Sequence, residues 1–213
     1  PEDYMKKAVE LGHTTYFSTE HGYIGNIYEA KTLCEKYNLK LIAGIEAYYV
    51  PNRFEKDKSN YHLILIALNT DGYKDLNYLM SKSNVDGFYY KPRIDDELLF
   101  SVNPKNIIVT SACIAGWKYE DATEVWLKIW QHFGDSFFLE YQTHNTPEQK
   151  ALNKKIYEIS KTFGIQTIIG LDTHYINEED RIKRENLLLR KGLHYEDEDG
   201  WYMDFPNGVE TYR

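Results

Sequence analysis

The stretch from residue 137 to residue 171 decides the fold, because it holds two apolar runs with one helical segment between them. The runs are FFLEY at residues 137–141 and QTIIGL at residues 166–171, and their length and composition predict strands. Between them, Pro147–Phe163 has apolar residues at helical spacing, and Pro147 suits the first turn of a helix. A strand, a helix and a second strand in this order predict one βα repeat of a parallel sheet.

The same alternation runs outward from this stretch. It predicts further helices over residues 3–11, 24–37, 71–83, 122–133 and 181–189, and further strands over residues 14–18, 41–47, 62–68 and 106–111. Two polar segments, residues 51–60 and 86–104, are predicted to be long loops that cover a functional face. Since candidate ligands fall beside strand ends, a barrel of parallel strands is favoured over an open sheet.

Bulk composition fits one α/β domain. A chain of 213 residues, 42% of them hydrophobic, can bury a sizeable core. No apolar run approaches the roughly 20 residues that span a bilayer, so membrane insertion is not expected. The two cysteines, Cys34 and Cys113, are far apart and indicate a reducing, cytoplasmic compartment. The net charge of −8 disfavours a freestanding, non-specific DNA-binding protein.

Potential metal ligands lie at the ends of successive predicted strands. They are His21, Glu46, His62, Cys113, Asp172 and His174. Residues two apart in an extended segment project to the same side, so Asp172 and His174 are placed to share a metal. Imidazole, carboxylate and thiolate together suit Zn²⁺, with Mn²⁺ or iron as alternatives, and a cluster of such ions would clamp a phosphate and activate water.

Each of these residues also has a structural explanation. A single histidine at a strand end is more often a hydrogen-bonded structural residue, and an isolated cysteine is usually a small buried apolar side chain. Glu46 would serve as a surface carboxylate, and Asp172 would cap a turn. The joint occurrence at five strand junctions is what favours a metal site.

Short motifs appear in a fixed order along the chain: TEHG at 19–22, GIEAY at 44–48, YHL at 61–63, GFYYKPRI at 87–94, SAC at 111–113 and DTHY at 172–175. In this order they resemble the PHP (polymerase and histidinol phosphatase) domain of bacterial-type DNA polymerase III alpha subunits. The GFYYKPRI stretch distinguishes the polymerase branch from stand-alone histidinol phosphatases. THNTPEQ at 143–149 resembles the family's histidine-containing turn, whereas Ala112 stands where the family commonly has glycine.

The resemblance implies a distorted (β/α)7 TIM-like barrel that binds up to three divalent metal ions, with zinc first and manganese, iron or magnesium as alternatives. The implied ligands are His21, Glu46, His62, Cys113, Asp172 and His174, and the implied catalytic residues are His21, Asp172 and His174. Arg93 and Lys91 are candidates to contact a substrate phosphate. The alternative for Arg93 is an ion pair with Asp95 or Asp96. His144 is a candidate substrate contact, extra ligand or proton carrier.

The resemblance also implies a setting. Residues 1–213 would form a single PHP domain that lacks the family's first strand and its His-x-His motif and belongs to a larger polymerase. Its partners would be the 3′ end of DNA, the remaining polymerase domains and replisome subunits such as the sliding clamp, and its activity a 3′ to 5′ exonuclease for proofreading. The alternatives are a catalytically inactive scaffold of the polymerase and a small-molecule phosphatase of the histidinol phosphate type.

Overall fold

The computed structural model describes residues 1–116, 122–193 and 200–205. Helices and strands alternate along most of this length, as predicted. The helices are α1 Glu2–Glu10, α2 Ile27–Tyr37, α3 Thr70–Val85, α4 Asp96–Leu99, α5 Ala122–Phe133, α6 Pro147–Phe163 and α7 Glu178–Arg190. The strands are β1 Thr15–His21, β2 Lys40–Tyr49, β3 Tyr61–Ala67, β4 Arg93–Ile94, β5 Ile107–Thr110, β6 Phe137–Gln142 and β7 Gln166–Gly170.

The strands form one seven-stranded sheet in the order β1-β2-β3-β5-β6-β7, with β4 paired to β2. The sheet curls, and this brings the ring of His21, the last residue of β1, to within 5.9 Å of the ring of His174 beyond β7, measured between centroids. The prediction of an α/β, distorted barrel-type fold is therefore confirmed. The barrel is open between β1 and β7, which are the two edge strands of the described sheet.

The prediction that all strands run parallel is wrong for β3. This strand is antiparallel to both β2 and β5, whereas the β1–β2, β2–β4, β5–β6 and β6–β7 pairs are parallel. The physical reason lies in the connection between β2 and β3. A parallel return needs a crossover, usually a helix, and residues 50–60 contain none, so the chain turns straight back.

The prediction of a long loop over residues 86–104 is also wrong in part. This segment contains β4 and α4, which are too short to produce a periodic sequence signal. The side chain of Asp95 caps α4 by accepting a hydrogen bond from the backbone N–H of Leu98 at 3.1 Å. The segment thus has a defined path across one end of the sheet.

The main core lies between the sheet and helices α3, α5 and α6. Leu63 and Leu65 on β3 are completely buried and alternate with half-buried neighbours, as expected for a strand. Trp126 on α5 and Phe137 on β6 fill the space opposite them. A smaller apolar cluster packs α1 and α2 against β1, and the described residues include no helix long and apolar enough to cross a membrane.

Candidate metal centre

The centre of the site is Glu46, which lies near the end of β2 and is 3% exposed. His21 on β1 is directly opposite it in the parallel register, and its Nδ1 contacts Glu46 Oε2. His62 on β3 approaches from the other side, with Nδ1 3.1 Å from Glu46 Oε1. The ligand atoms of these three residues lie within 4.8 Å of one another, a spacing at which they could hold one metal ion.

Cys113 adds a sulfur atom to this group. Its Sγ is 3.3 Å from His62 Nδ1 and 3.9 Å from Glu46 Oε1. The turn that carries the thiol there passes through Ala112, whose φ of +54° lies in the left-handed region that glycine adopts without strain. The chain thus accepts local strain at Ala112 to place Cys113.

Asp172 and His174 approach the same group from beyond β7. Asp172 has a φ of +49°, a second strained position next to the site. His174 Nδ1 is 2.7 Å from the main-chain oxygen of Asp172 and 3.6 Å from its Oδ1. The structure therefore brings all six predicted ligands to one end of the curled sheet, while their coordination of a metal stays a prediction.

The charges in the site are strongly coupled. Burial alone would raise the pKa of Glu46, but hydrogen bonds from His21 and His62 outweigh burial and lower it to about 2. The hydrogen bond to Glu46 raises the pKa of His21. Burial raises the pKa of the Cys113 thiol well above its usual value, and burial also raises the pKa of Asp172. A cation would relieve the crowding of acidic groups by favouring their deprotonated forms.

The donor set fits a divalent metal. Imidazole nitrogen, carboxylate oxygen and a thiol that ionises on coordination are the ligands that Zn²⁺ takes in proteins. The carboxylates of Glu46 and Asp172 are also compatible with Mn²⁺ or iron. The buried position of Glu46 and Cys113 supplies the low-dielectric surroundings in which a cation interacts strongly with its ligands.

Arg93 lies beside the site but is 2% exposed. Its guanidinium donates hydrogen bonds to four backbone carbonyls, those of Gly87, Glu55, Asp57 and Arg53, at 2.6–2.9 Å. The alternative, a pairing of Arg93 with Asp95 or Asp96, is wrong. Arg53 Nη1 pairs with Asp95 Oδ1 at 2.5 Å, and Lys128 Nζ pairs with Asp96 Oδ2 at 2.6 Å. This arrangement gives Arg93 a structural role in holding residues 53–57 against β4.

Lys91 and His144 both lie near the metal centre. Lys91 Nζ is 4.1 Å from the centroid of the Tyr48 ring, which stacks on His21 at 6.3 Å between centroids. His144 is 3% exposed, and its Nδ1 accepts a hydrogen bond from the backbone N–H of Tyr202 at 3.0 Å. Within the described part of the chain, its Nε2 is buried without a hydrogen-bond partner. Burial and the charge of His174 lower the pKa of His144 to about 4, so His144 is neutral at neutral pH.

Sequence reasoning missed Glu140 as part of this site. This carboxylate on β6 is buried, and its Oε2 accepts a hydrogen bond from Thr110 Oγ1 at 2.6 Å. A Cβ placed on Gly170 would lie 1.7 Å from Glu140 Oε1, so the glycine leaves room for the carboxylate next to the strand that leads to Asp172. The signal was present in the sequence, since Glu140 is the one charged residue in the apolar run FFLEY.

Comparisons with known proteins identify the family of the chain. The profile of the PHP domain matches residues 1–144. The chain belongs to the PHP domain family. The resemblance inferred from the ordered motifs is therefore confirmed, and the metal centre described above is the candidate site of a PHP domain.

Curated relatives extend the match beyond residue 144. The chain is 35% identical to the DNA polymerase III subunit alpha of Aquifex aeolicus over 91% of its own length and 18% of that protein. It is 33% identical to the Treponema pallidum protein of the same name over 86% of its length and 17% of that protein. The chain thus spans about a fifth of the length of these relatives.

A solved structure is also similar to the chain. It is described as a putative metal-dependent phosphoesterase from Bifidobacterium adolescentis, and it matches with a TM-score of 0.48 and 12% sequence identity. The match covers 80% of each chain.

Proposed function

We propose that this PHP domain works within a DNA polymerase III alpha subunit and hydrolyses phosphodiesters at the 3′ end of DNA, as a 3′ to 5′ exonuclease for proofreading. The convergence of His21, Glu46, His62, Cys113, Asp172 and His174 at one end of the sheet carries this proposal. The curated relatives from Aquifex aeolicus and Treponema pallidum, both named DNA polymerase III subunit alpha, support the polymerase setting.

The side chains of the site have different roles in this proposal. Glu46 orients His21 and His62 through hydrogen bonds to their Nδ1 atoms. The carbonyl of Asp172 accepts from Nδ1 of His174, which leaves the lone pair on Nε2 for a ligand or a proton. Zinc, or manganese, iron or magnesium in its place, would activate water and neutralise phosphate charge when bound. The ammonium group of Lys91 is close enough to His21 and Tyr48 to neutralise the negative charge of a phosphate bound there.

The direct test measures bound zinc and manganese together with nuclease activity on single-stranded DNA. His174→Ala should lower activity at least about 100-fold, because it removes a group that contacts the reacting atoms. The matched control is His13→Ala, since His13 is exposed and its ring packs against Phe205 and is not one of the predicted ligands. Unaltered activity in His174→Ala would rule out the assigned site.

We propose further that an additional strand pairs with the open side of the barrel, between β1 and β7. The edge strand β7 exposes Ile168 and Ile169, and the edge strand β1 exposes Phe17. Exposed apolar residues on an unpaired strand favour pairing with another strand. By the resemblance, such a strand would carry the His-x-His motif close to His21.

A second candidate function is a non-enzymatic scaffold that stabilises the polymerase. It is favoured by the net charge of −8, because a strongly acidic surface disfavours contact with the phosphates of DNA. A scaffold predicts that chelation lowers the melting temperature of the domain while no nuclease is detected. Nuclease activity that survives rigorous purification and responds to added metal would contradict it.

The relatives support a polymerase setting, and the partners within it are part of the proposal. The partners would be the DNA 3′ end, the remaining polymerase domains and replisome subunits such as the sliding clamp, in the cytoplasm. Co-purification of the domain with polymerase segments supplied in trans would test this. Rapid turnover of a phosphomonoester, with no action on DNA, would instead favour the small-molecule phosphatase.

A further inference from the structure

The segment GFYYKPRI presents an aromatic ring to solvent at an energetic cost. Tyr90 has a φ of +60° and lies at the apex of a tight turn, in which the backbone N–H of Tyr89 donates to the carbonyl of Lys91 at 3.1 Å. A residue other than glycine is strained in this conformation. The strained turn leaves Tyr90 67% exposed, and Phe88 next to it is 60% exposed. Burial of these rings therefore cannot account for the strain.

The exposed ring lies beside the metal centre. Pro92, two residues after Tyr90, packs against Gly22, the residue that follows His21; a Cβ on Gly22 would lie 2.8 Å from Pro92 Cγ. Lys91, which stands between Tyr90 and Pro92 in the sequence, lies over the ring of Tyr48. The centroid of the Tyr48 ring is 5.3 Å from that of the His62 ring. A short path thus leads from Tyr90 to His21 and His62.

Cationic groups accompany the aromatic ring. Lys58 Nζ lies 4.2 Å from the centroid of the Tyr90 ring. The loop that carries Lys58 is held in place by Arg93, whose guanidinium binds the carbonyls of Glu55 and Asp57. The buried arginine of the GFYYKPRI segment therefore fixes the loop that places a lysine beside the exposed tyrosine of the same segment.

We propose that Tyr90, together with Phe88, Lys58 and Lys91, forms a stacking platform for the unpaired bases of a single-stranded DNA end. The proposal rests on the proposed nuclease function and names how that site takes its substrate. Exposed aromatic rings next to lysines bind single strands, because unpaired bases stack on the rings while the lysines neutralise the phosphates. Bases in a duplex are already stacked on each other, so the platform selects frayed or unpaired ends. It leads the terminal phosphodiester toward the metal centre past Lys91.

The test measures equilibrium binding of the 213-residue chain to a fluorescently labelled single-stranded oligonucleotide. The oligonucleotide has uncleavable phosphorothioate linkages, and fluorescence anisotropy monitors binding. Stacking of one base is worth about 1–3 kcal/mol, so Tyr90→Ala should weaken binding about tenfold. Tyr90→Trp should bind within about twofold of the unchanged chain, because it keeps a stacking surface. Tyr157→Ala is the matched control: Tyr157 is 56% exposed on α6 and has Lys161 Nζ 5.6 Å from its ring centroid.

An oligonucleotide with abasic sites at its 3′ end separates stacking from charge. It should bind the unchanged chain and Tyr90→Ala equally, since no base remains to stack. Equal binding of the fully based oligonucleotide by Tyr90→Ala and the unchanged chain would overturn the platform, and that is the result expected if Tyr90 instead contacts a protein partner. Tyr90-dependent binding without hydrolysis of ordinary DNA would contradict only the nuclease, whereas hydrolysis with Tyr90-independent binding would contradict only the platform.

Discussion

The two sides of the metal centre differ in how firmly the fold holds them. Glu46, His62 and Cys113 lie on or beside the central strands β2, β3 and β5, and Glu46 is 3% exposed. His21, by contrast, ends the edge strand β1, and its side chain is 52% exposed. Asp172 and His174 follow the other edge strand, β7, on which Ile169 is 47% exposed. The central half is set by the sheet and the core, whereas the peripheral half depends on what packs at the open edges.

This difference shows how a site of this kind is organised. Ligands on central strands are positioned by hydrogen bonds on both sides and by close packing, so they are preorganised before a metal binds. Ligands on edge strands have more freedom, and a bound metal would link them to the central half. Four predictions would break or sharpen this comparison.

The largest effect is expected from Glu46→Gln, which removes the anion between His21 and His62. Losing a group that orients a metal ligand typically costs 10–100-fold in metal affinity, so losing Glu46, a predicted ligand that also orients two histidines, should cost about 1,000-fold. His174→Ala at the edge should lower affinity less, by about tenfold to 100-fold. Competition for zinc against a chelating dye measures both. Glu97→Gln is the control, because the side chain of Glu97 is 77% exposed, and a smaller loss for Glu46→Gln than for His174→Ala would reverse the comparison.

A pH-dependent effect is expected from His144, which lies beside His174 at the peripheral half. Its pKa is lowered to about 4 in the folded chain by burial and the charge of His174, against about 6.5 when unfolded. The neutral ring therefore contributes stability that is complete above pH ~6.5 and is lost as the pH falls toward about 4. The free energy of unfolding of the unchanged chain should fall between pH 7 and pH 4. In His144→Gln this fall should be smaller, by up to about 3 kcal/mol.

Urea denaturation at a series of pH values measures this difference. The control is His13→Gln, which alters an exposed histidine and should follow the unchanged chain. Parallel pH profiles for His144→Gln and the unchanged chain would show that His144 is not held neutral by its surroundings.

A packing effect is expected where the two halves meet, at Gly170 on β7 and Glu140 on β6. Gly170→Ala should destabilise the chain by about 2 kcal/mol, because overpacking of this kind costs 1–3 kcal/mol and the new Cβ would lie against Glu140 Oε1. Adding Glu140→Asp, which withdraws the carboxylate by one methylene, should recover part of the loss. Thermal unfolding of the two single variants and the double variant gives the coupling, and strict additivity would contradict the proposed contact.

The smallest effect is expected when the metal is removed, and it concerns local opening of the backbone. Chelation should accelerate amide hydrogen exchange several-fold around residues 20–23 and 171–175, while the central strands β2 and β3 remain protected by the core. Hydrogen exchange measured by mass spectrometry, with and without zinc, tests this. Equal acceleration in β2 and β3 would show that the central half is not preorganised.

Local sequence patterns were sufficient for the regular elements. Helices α5 and α6 have the predicted bounds, because both carry clear amphipathic stripes. In α6 the side chain of Thr146 also caps the first turn, and Gly164 takes a left-handed conformation at the end. Strand direction was not accessible in the same way, since an apolar run such as β3 has the same local pattern in either direction.

The site was predictable only in part, for a related physical reason. Ligand types at successive strand ends indicated a shared site because a curled sheet brings its strand ends together. Contacts between loops left no such pattern, so the burial of Arg93 among the carbonyls of residues 53–57 could not be foreseen. Glu140 was overlooked because a single carboxylate inside a strand does not show which side chains face it.

The most direct test of the metal centre is a crystal structure of the chain with Zn²⁺ or Mn²⁺, in which anomalous scattering locates the ions. The account predicts an anomalous peak about 2.0–2.3 Å from the donor atoms of His21, Glu46, His62 or Cys113, with Asp172 and His174 at the same cluster. Peaks elsewhere on the molecule, or none at this cluster under saturating metal, would contradict the claim that these six side chains form one metal centre.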